Sequence, residues 1–259
     1  MSKVDNRKNS LLNLLQMTDS ISVQEIADYF SISLPVARRL CSQLAEEGKV
    51  IRFHGGIRSI DHSVSTYSFD QLLADHNKEK ERIAMYASGL VNNNEVVFVE
   101  AGTTLYQFSI CLAERIRKKE VANVSIFTNS LINLEIFSAV SDRVYVIGGH
   151  YRDSRKDFTG YLSCHAIDNL QFNHAFIGAD AISLTEGIMA MDADTVNFDS
   201  QLIKHSEKNT ILAHSAKFSR KSLISYASTD EITAIITDNA LDPTILESYL
   251  RQNIDVVTV

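Results

Sequence analysis

The chain has 259 residues, 45% of them hydrophobic and 22% charged, with a net charge of −7. That balance excludes a wholly disordered polypeptide, and the length bounds it at one large or two ordinary domains. No apolar run reaches the ~18–20 residues of a membrane helix, so no membrane partner is expected. The start, MSKVDNRKNSLLNLLQ, has only a short leucine stretch and no small-residue cleavage site, so no secretion signal is expected. Cys41, Cys111 and Cys164 are odd in number and far apart, which predicts no disulfide framework and a reducing cytoplasm. The eight histidines show no HxxxH or HxH spacing, so neither a metal nor another cofactor is expected. Charge is uneven along the chain. Residues 1–60 hold eight Lys/Arg against six Asp/Glu, and the remainder holds 17 against 26.

The basic head reads as three short helices and a hairpin. Leu11, Leu12, Leu14 and Leu15 give a first helix its apolar stripe. Ser22-Val23-Gln24-Glu25 is a capping box opening a second helix, whose face is Val23, Ile26, Ala27 and Phe30. Ser33 is placed to cap a third helix, with Pro35 tolerated in its first turn and Gly48 at its end. Ala37, Cys41 and Leu44 share its inward face, which leaves Arg38, Arg39, Ser42 and Gln43 mainly outside. Val50 to Ile57 alternates like a strand and turns at Gly55-Gly56, as a wing would. Two helices joined by a tight turn, the second bearing exposed Arg, Ser and Gln, match a helix-turn-helix. Arginine can bond guanine O6 and N7, glutamine can pair with adenine, and other polar groups meet phosphates. Any trihelical head exposes some arginines, so charge alone does not decide the matter.

The stretch VQEIADYFSISLPVARRLCSQLAEEGKVIRFHGGI resembles the winged helix-turn-helix of DeoR-family bacterial transcriptional regulators. It keeps Ser33, Arg38, Arg39, Leu44, Gly48, Val50, Arg52, His54, Gly55 and Gly56 of that pattern. It departs with Val36 for Thr, Ala37 for Ile, Leu40 for Asp and Cys41 for Leu. The resemblance implies double-stranded operator DNA as partner. It makes Ser33, Val36, Arg38, Arg39, Ser42, Gln43, Arg52 and His54 the DNA-binding candidates.

Residues 1–58 are thus expected to form the DNA-binding domain, 59–68 a polar linker and 69–259 an effector-sensing domain. That last part opens with a long helix over about 69–91, in which Lys78 to Arg82 reads as a solvated face. Six apolar strands then alternate with helices: 96–99, 124–127, 144–147, 175–177, 210–213 and 234–237. This predicts an α/β fold with a mainly parallel sheet covered on both faces. The strand ends carry Gly102-Thr103-Thr104, Thr128-Asn129-Ser130, Gly148-Gly149 and Gly178-Ala179-Asp180. Small and hydroxylated residues there suit an anion such as a sugar phosphate, although they are also ordinary turn and cap residues.

EAGTT, FTNS, VIGGHYRD, FIGADAISLTEGI and LAHSAKF extend the resemblance through this region. They imply an effector domain of the ribose-phosphate-isomerase-like type that senses a sugar phosphate. By that similarity the effector-binding candidates are Gly102, Thr103, Thr104, Thr128, Asn129, Ser130, Gly148, Gly149, Gly178, Asp180, His214 and Lys217. Asp199 stands where the family carries Lys, and His214 where it carries Asp. An acidic Asp199 is expected to repel phosphate. A protonated His214 is expected to attract it and to make affinity pH-sensitive.

Two functions follow. One is a transcriptional regulator, a repressor of a carbohydrate-utilisation operon, acting as a homodimer or homotetramer and without enzymatic activity. The other is a sugar-phosphate isomerase or deaminase with an accessory head, using Asp180, Glu186 or Glu100 as base. No motif positions a convincing acid/base pair.

Overall fold

The computed structural model describes residues 7, 8, 10–12, 15, 20–47, 49–53, 55–59 and 68–259. Two compact units divide the chain, Met1–Thr66 and Tyr67–Val259. Gly48, His54 and most of the expected linker lie outside the described residues.

In the first unit, residues 7–8, 10–12 and 15 are helical, with Leu11 and Leu15 buried. There follow β1 (Ser20–Ser22), α1 (Val23–Phe30), α2 (Leu34–Glu46), β2 (Val50–Phe53) and β3 (Gly56–Ser59). The capping box is present: the Glu25 amide donates to Ser22 Oγ and the Ser22 amide to Glu25 Oε2 at 2.8 Å. Ser31 closes α1 in the left-handed region at φ 50°, which turns the chain sharply toward α2. Ser33 holds the N-cap position of α2 but makes no side-chain bond there. β2 and β3 pair antiparallel, and β1, which the sequence pattern did not reveal, adds a third strand on β3. Gly55 turns the wing at φ +101°, a conformation that favours glycine, and its carbonyl accepts the Val23 amide at 2.8 Å. The wing is thereby tied to the start of α1. Val23, Ile26, Ala27, Ala37, Leu40, Cys41, Leu44, Val50 and Ile57 form one core.

The second unit begins with α3 (Phe69–Ala74) and α4 (Asn77–Ser88). The single helix expected over 69–91 is therefore broken, because His76 adopts φ 51°. Then come β4 (Val96–Val99), α5 (Thr103–Arg117), β5 (Ser125–Thr128), α6 (Leu131–Ser138) and β6 (Val144–Val146). A ribbon, β7 (His150–Arg152) and β8 (Asp157–Thr159), precedes α7 (Tyr161–Ile167) and β9 (His174–Ile177). The remainder is β10 (Ala181–Ser183), β11 (Gly187–Ala190), α8 (Ala193–Lys204), β12 (Asn209–Leu212), β13 (Ile224–Ala227), β14 (Ala234–Thr237), α9 (Pro243–Leu250) and β15 (Val256–Thr258).

Seven strands form a parallel sheet in the order β15-β14-β12-β9-β4-β5-β6. Alternation along each strand feeds two cores. Phe98, Ala175, Ile177, Ile211 and Ile235 pack with Ile167, Phe198, Leu202 and Tyr249 on one face. Val97, Val99, Ile126, Phe176, Leu212 and Ile236 pack with Ile83, Ala84, Phe108, Leu112 and Phe137 on the other. Both faces are apolar, which is why these strands read as continuous hydrophobic runs. Chain order reverses between β4 and β9, and a crevice opens beyond the strand ends at such a switch point. The antiparallel sheet β10-β11-β13 and the β7–β8 ribbon stand outside the parallel one.

Candidate functional site

On the second helix of the head, Arg38 and Arg39 are exposed, Ser42 and Gln43 are half-buried, and Ala37, Leu40, Cys41 and Leu44 face inward. Leu40, standing where the resembled pattern has an acid, is a core residue. Val36 is half-buried and Ser33 exposed. Arg52 reaches from the wing to α2, its Nη1 donating to Ser42 Oγ at 2.8 Å. Ser42 in turn donates to the Arg38 carbonyl at 3.1 Å. The Arg38–Arg39 pair therefore projects from a helix whose other face is buried, with the wing braced beside it.

The second unit carries a partly open cavity of about 200 Å³ at the switch point. Gly102, Thr103, Thr104, Gly178, Asp180, His214 and Lys217 line it, as expected from the strand-end motifs. Thr128, Asn129, Ser130, Gly148 and Gly149 do not. Asn129 Oδ1 accepts the Ala101 amide at 3.1 Å, and its Nδ2 donates to the Phe158 carbonyl at 3.3 Å. Thr128 accepts the Ser130 amide, Ser130 caps α6 by accepting the Asn133 amide, and Asn133 donates to the Glu100 carbonyl at 3.0 Å. This turn braces the β4–α5 loop from beneath and has few groups left for a ligand. Gly149 permits close packing, since a Cβ there would lie 2.0 Å from Ser163 Oγ. Glu186 is also absent from the cavity wall; it is exposed and pairs with Lys221 at 3.6 Å.

Several lining residues were not anticipated. Lys80 is the clearest, because it departs from the reading of 78–82 as a solvated face, while Lys78, Glu81 and Arg82 are exposed as read. Its side chain is 2% exposed and its Nζ donates to the Leu72 carbonyl at 2.5 Å. Burial lowers its pKa to about 8. The sequence held a signal: Lys80, Ile83, Ala84 and Ala87 share one helical face, the buried one. Arg155 comes from the tip of the β7–β8 ribbon, where it pairs with Asp192 at 3.2 Å and Asp180 at 3.4 Å. Arg152 anchors the ribbon through a two-bond pair with Asp157 and a further pair with Asp192. No local pattern announces Arg155, Arg220 or Tyr226.

The cavity is electrically polarised. One side gathers Lys80, Lys217, His76 and His214. His214 stacks on His76 with ring centroids 4.2 Å apart. Burial, then the neighbouring His76, Lys217 and Lys80, push its pKa down to about 3. His214 is therefore neutral at ordinary pH, which corrects the expectation of a protonated, pH-sensing histidine. The first turn of α5 joins this side: Gly102 caps it with no side chain, so the opening amides keep their donors. The other side holds Glu100, Asp199 and Tyr226. Glu100 Oε2 accepts the Gly178 amide at 2.8 Å, and burial raises its carboxyl to about 8. Asp199 is 1% exposed; burial, with Glu100 next, raises it well above the usual range. Asp199 is thus largely shielded from water and held toward its neutral form, so it does not present the fixed anion expected from sequence. Gly178 sits where a Cβ would approach Glu100 Oε2 to 3.2 Å, and its carbonyl accepts the Tyr226 hydroxyl.

These shifts predict a pH effect on stability. A carboxyl raised in the folded state stabilises fully below its unfolded value and loses that contribution as pH rises through the folded value. His174 and His214, lowered to about 4 and about 3, act in the opposite sense below pH 6.5. From about pH 6.5 to 7 the carboxyl effect dominates, and stability is expected to fall as pH rises, by up to about 1.4 kcal/mol per pH unit for each proton released. Toward pH 8 Lys80, lowered to about 8, begins to lose its proton in the folded state and acts in the opposite sense. Thermal melts at half-unit steps read this, and Glu100→Gln is expected to flatten the slope.

Residues 75–239 match the DeoR C terminal sensor domain, and residues 7–63 match the DeoR-like helix-turn-helix domain. The chain belongs to the DeoR family. Among DeoR-type relatives, it is 28% identical to the HTH-type transcriptional regulator IolR of Bacillus subtilis, over 86% of each chain. It is 25% identical to the glycerol-3-phosphate regulon repressor of Escherichia coli, over 91% of each. It is 28% identical to the lactose phosphotransferase system repressor of Lactococcus lactis, over 94% of each. Among solved structures, ribose 5-phosphate isomerase A of Methanocaldococcus jannaschii aligns with a TM-score of 0.43 at 18% identity. That alignment covers 57% of this chain and 56% of the isomerase, little more than half of either. In this DeoR-family chain the helix-turn-helix and the polarised cavity belong to the two matched domains, respectively.

Proposed function

We propose that the chain is a cytoplasmic repressor of a carbohydrate-utilisation operon, whose hold on operator DNA is set by a phosphorylated sugar in the cavity. It acts as a homodimer or homotetramer on repeated or palindromic half-sites, and it is not an enzyme. Arg38, Arg39 and Gln43 read base edges, while Ser33, Val36, Ser42, Arg52 and His54 position the head on the backbone and flanking groups. The phosphate sits against Thr103 and Thr104 at the start of α5, facing Lys80 and Lys217. Glycerol 3-phosphate and a lactose phosphotransferase system figure in the names of two relatives, which supports a phosphorylated carbohydrate as the class.

Lys80 is the observation that carries this reading. An ammonium group buried beside the start of a helix, with the charge of Asp75 nearby but no carboxylate hydrogen-bonded to it among the described residues, suits an incoming anion. Its bond to the Leu72 carbonyl also ties the cavity to α3, the first helix after the linker. On the same element the Phe69 amide donates to the Ser154 carbonyl at the ribbon tip, at 2.8 Å. A ligand that favours one arrangement of Lys80 and Arg155 therefore acts on the segment leading to the head, and differential affinity for two arrangements is what control requires.

The test is a gel-shift titration of the chain on a fragment of its own promoter at low ionic strength, with and without a panel of sugar phosphates. Retardation that one phosphorylated sugar changes at least tenfold is the expected result, with no turnover of ribose 5-phosphate. Absence of retardation, or turnover of that sugar, overturns the reading.

A further inference from the structure

The side of the cavity away from Lys80 holds more acceptors than donors. Asp199 Oδ1 is buried without a hydrogen-bond partner among the described residues. The polar groups around it are committed elsewhere. The Tyr226 hydroxyl proton goes to the Gly178 carbonyl. The Thr195 hydroxyl proton goes to Asp192 at 2.8 Å. Arg155 is shared by Asp192 and Asp180, and Asp180 also accepts the Met191 amide at 3.0 Å. Glu100 keeps one carboxyl oxygen beyond the one bonded to Gly178. Two buried carboxyl groups thus line the part of the cavity away from Lys80 and Lys217, and one of their oxygens, Asp199 Oδ1, lacks the donor that burial demands.

We propose that the effector carries a protonated amine opposite its phosphate, that Asp199 with Glu100 beside it binds that amine, and that the ligand class is an amino-sugar phosphate. This rests on the phosphate reading given above. An ammonium brings three donors and a positive charge, so it can satisfy Asp199 Oδ1 and the free Glu100 oxygen together. A hydroxyl brings one donor and leaves one carboxyl unmatched. Entry of the ammonium ionises one carboxyl of the pair, and its proton passes to solvent. The excess charge is then balanced at both ends, phosphate against Lys80 and Lys217, ammonium against that one carboxylate.

The experiment is a calorimetric titration of the full chain with glucosamine 6-phosphate, glucose 6-phosphate and inorganic phosphate, in two buffers of different ionisation enthalpy. The two sugars differ only by amine against hydroxyl. The amine is expected to bind at least tenfold tighter and to release protons relative to its twin. Asp199→Asn is expected to bring the two sugars within about twofold and to remove the proton release that sets the amine sugar apart, which a merely structural role of Asp199 does not do. Equal binding of the twins by the unaltered chain, or preference for the hydroxyl, overturns the proposal even if Asp199→Asn fails to fold. In that case binding of inorganic phosphate leaves the phosphate reading standing. If none of the three probes binds, both readings fall.

Discussion

Replacing Arg38 or Arg39 with alanine is expected to weaken operator binding by roughly 10- to 100-fold each, the ~1–3 kcal/mol of a base-reading arginine. The fold is not expected to respond. Both side chains are exposed on α2, while Ala37, Leu40, Cys41 and Leu44 hold the opposite face in the core. Melting temperatures within about 1–2 °C of the parent are the control, since exposed substitutions rarely change stability by more than ~0.5 kcal/mol. The salt dependence separates two roles. A phosphate contact that is lost lowers the slope of log affinity against log salt by about one, whereas a lost base contact relaxes sequence preference. Both variants binding like the parent on the chain's own promoter fragment overturns the assignment of α2 as the reading helix. Arg52→Ala is the informative companion. Its guanidinium bonds Ser42, so its loss loosens the wing as well as removing a charge.

Lys80→Met is expected to shift the response to phosphorylated ligands to at least tenfold higher ligand concentration while leaving operator affinity intact. A charge-assisted bond to phosphate contributes about 1.5–3 kcal/mol, so ligand affinity falls roughly tenfold to a hundredfold. Methionine keeps the unbranched stem and removes a desolvated charge, so the apo protein is expected to melt at the same temperature or higher. Affinity for a phosphate-bearing ligand in the parent is expected to fall as pH rises through about 8, because Lys80 then loses its proton. For a ligand without an amine, such as glucose 6-phosphate, the same rise gives Glu100 a negative charge, which acts in the same direction. In Lys80→Met the part of the slope due to Lys80 vanishes. Calorimetric titrations at pH 7 and pH 9 measure both effects. Unchanged affinity in the variant at pH 7 overturns the placement of the phosphate against Lys80.

Local sequence determined the elements. The capping box at Ser22, the glycine pair of the wing and the split between Ala37, Cys41, Leu44 and Arg38, Arg39 are properties of a few adjacent residues, and they stand as read. The parallel sheet was equally legible, because strands buried on both faces must be apolar along their whole length. Gly102-Thr103-Thr104 and Gly178-Ala179-Asp180 line the cavity because they end strands on either side of the switch point, although the same residue types also serve as ordinary turns and caps. What periodicity cannot report is which elements converge. Lys80 sits in a run of charges that looks solvated. Only the break at His76 and the packing of α4 against α5 and the sheet bury its amine at the cavity wall. Arg155 reaches the same cavity from a ribbon of two three-residue strands, too short to carry a pattern. Thr128, Asn129 and Ser130 have the composition of a binding loop, yet tertiary hydrogen bonds use them to brace the next loop. The charge states of Glu100, Asp199 and His214 were decided by burial, a quantity set by everything packed around a side chain.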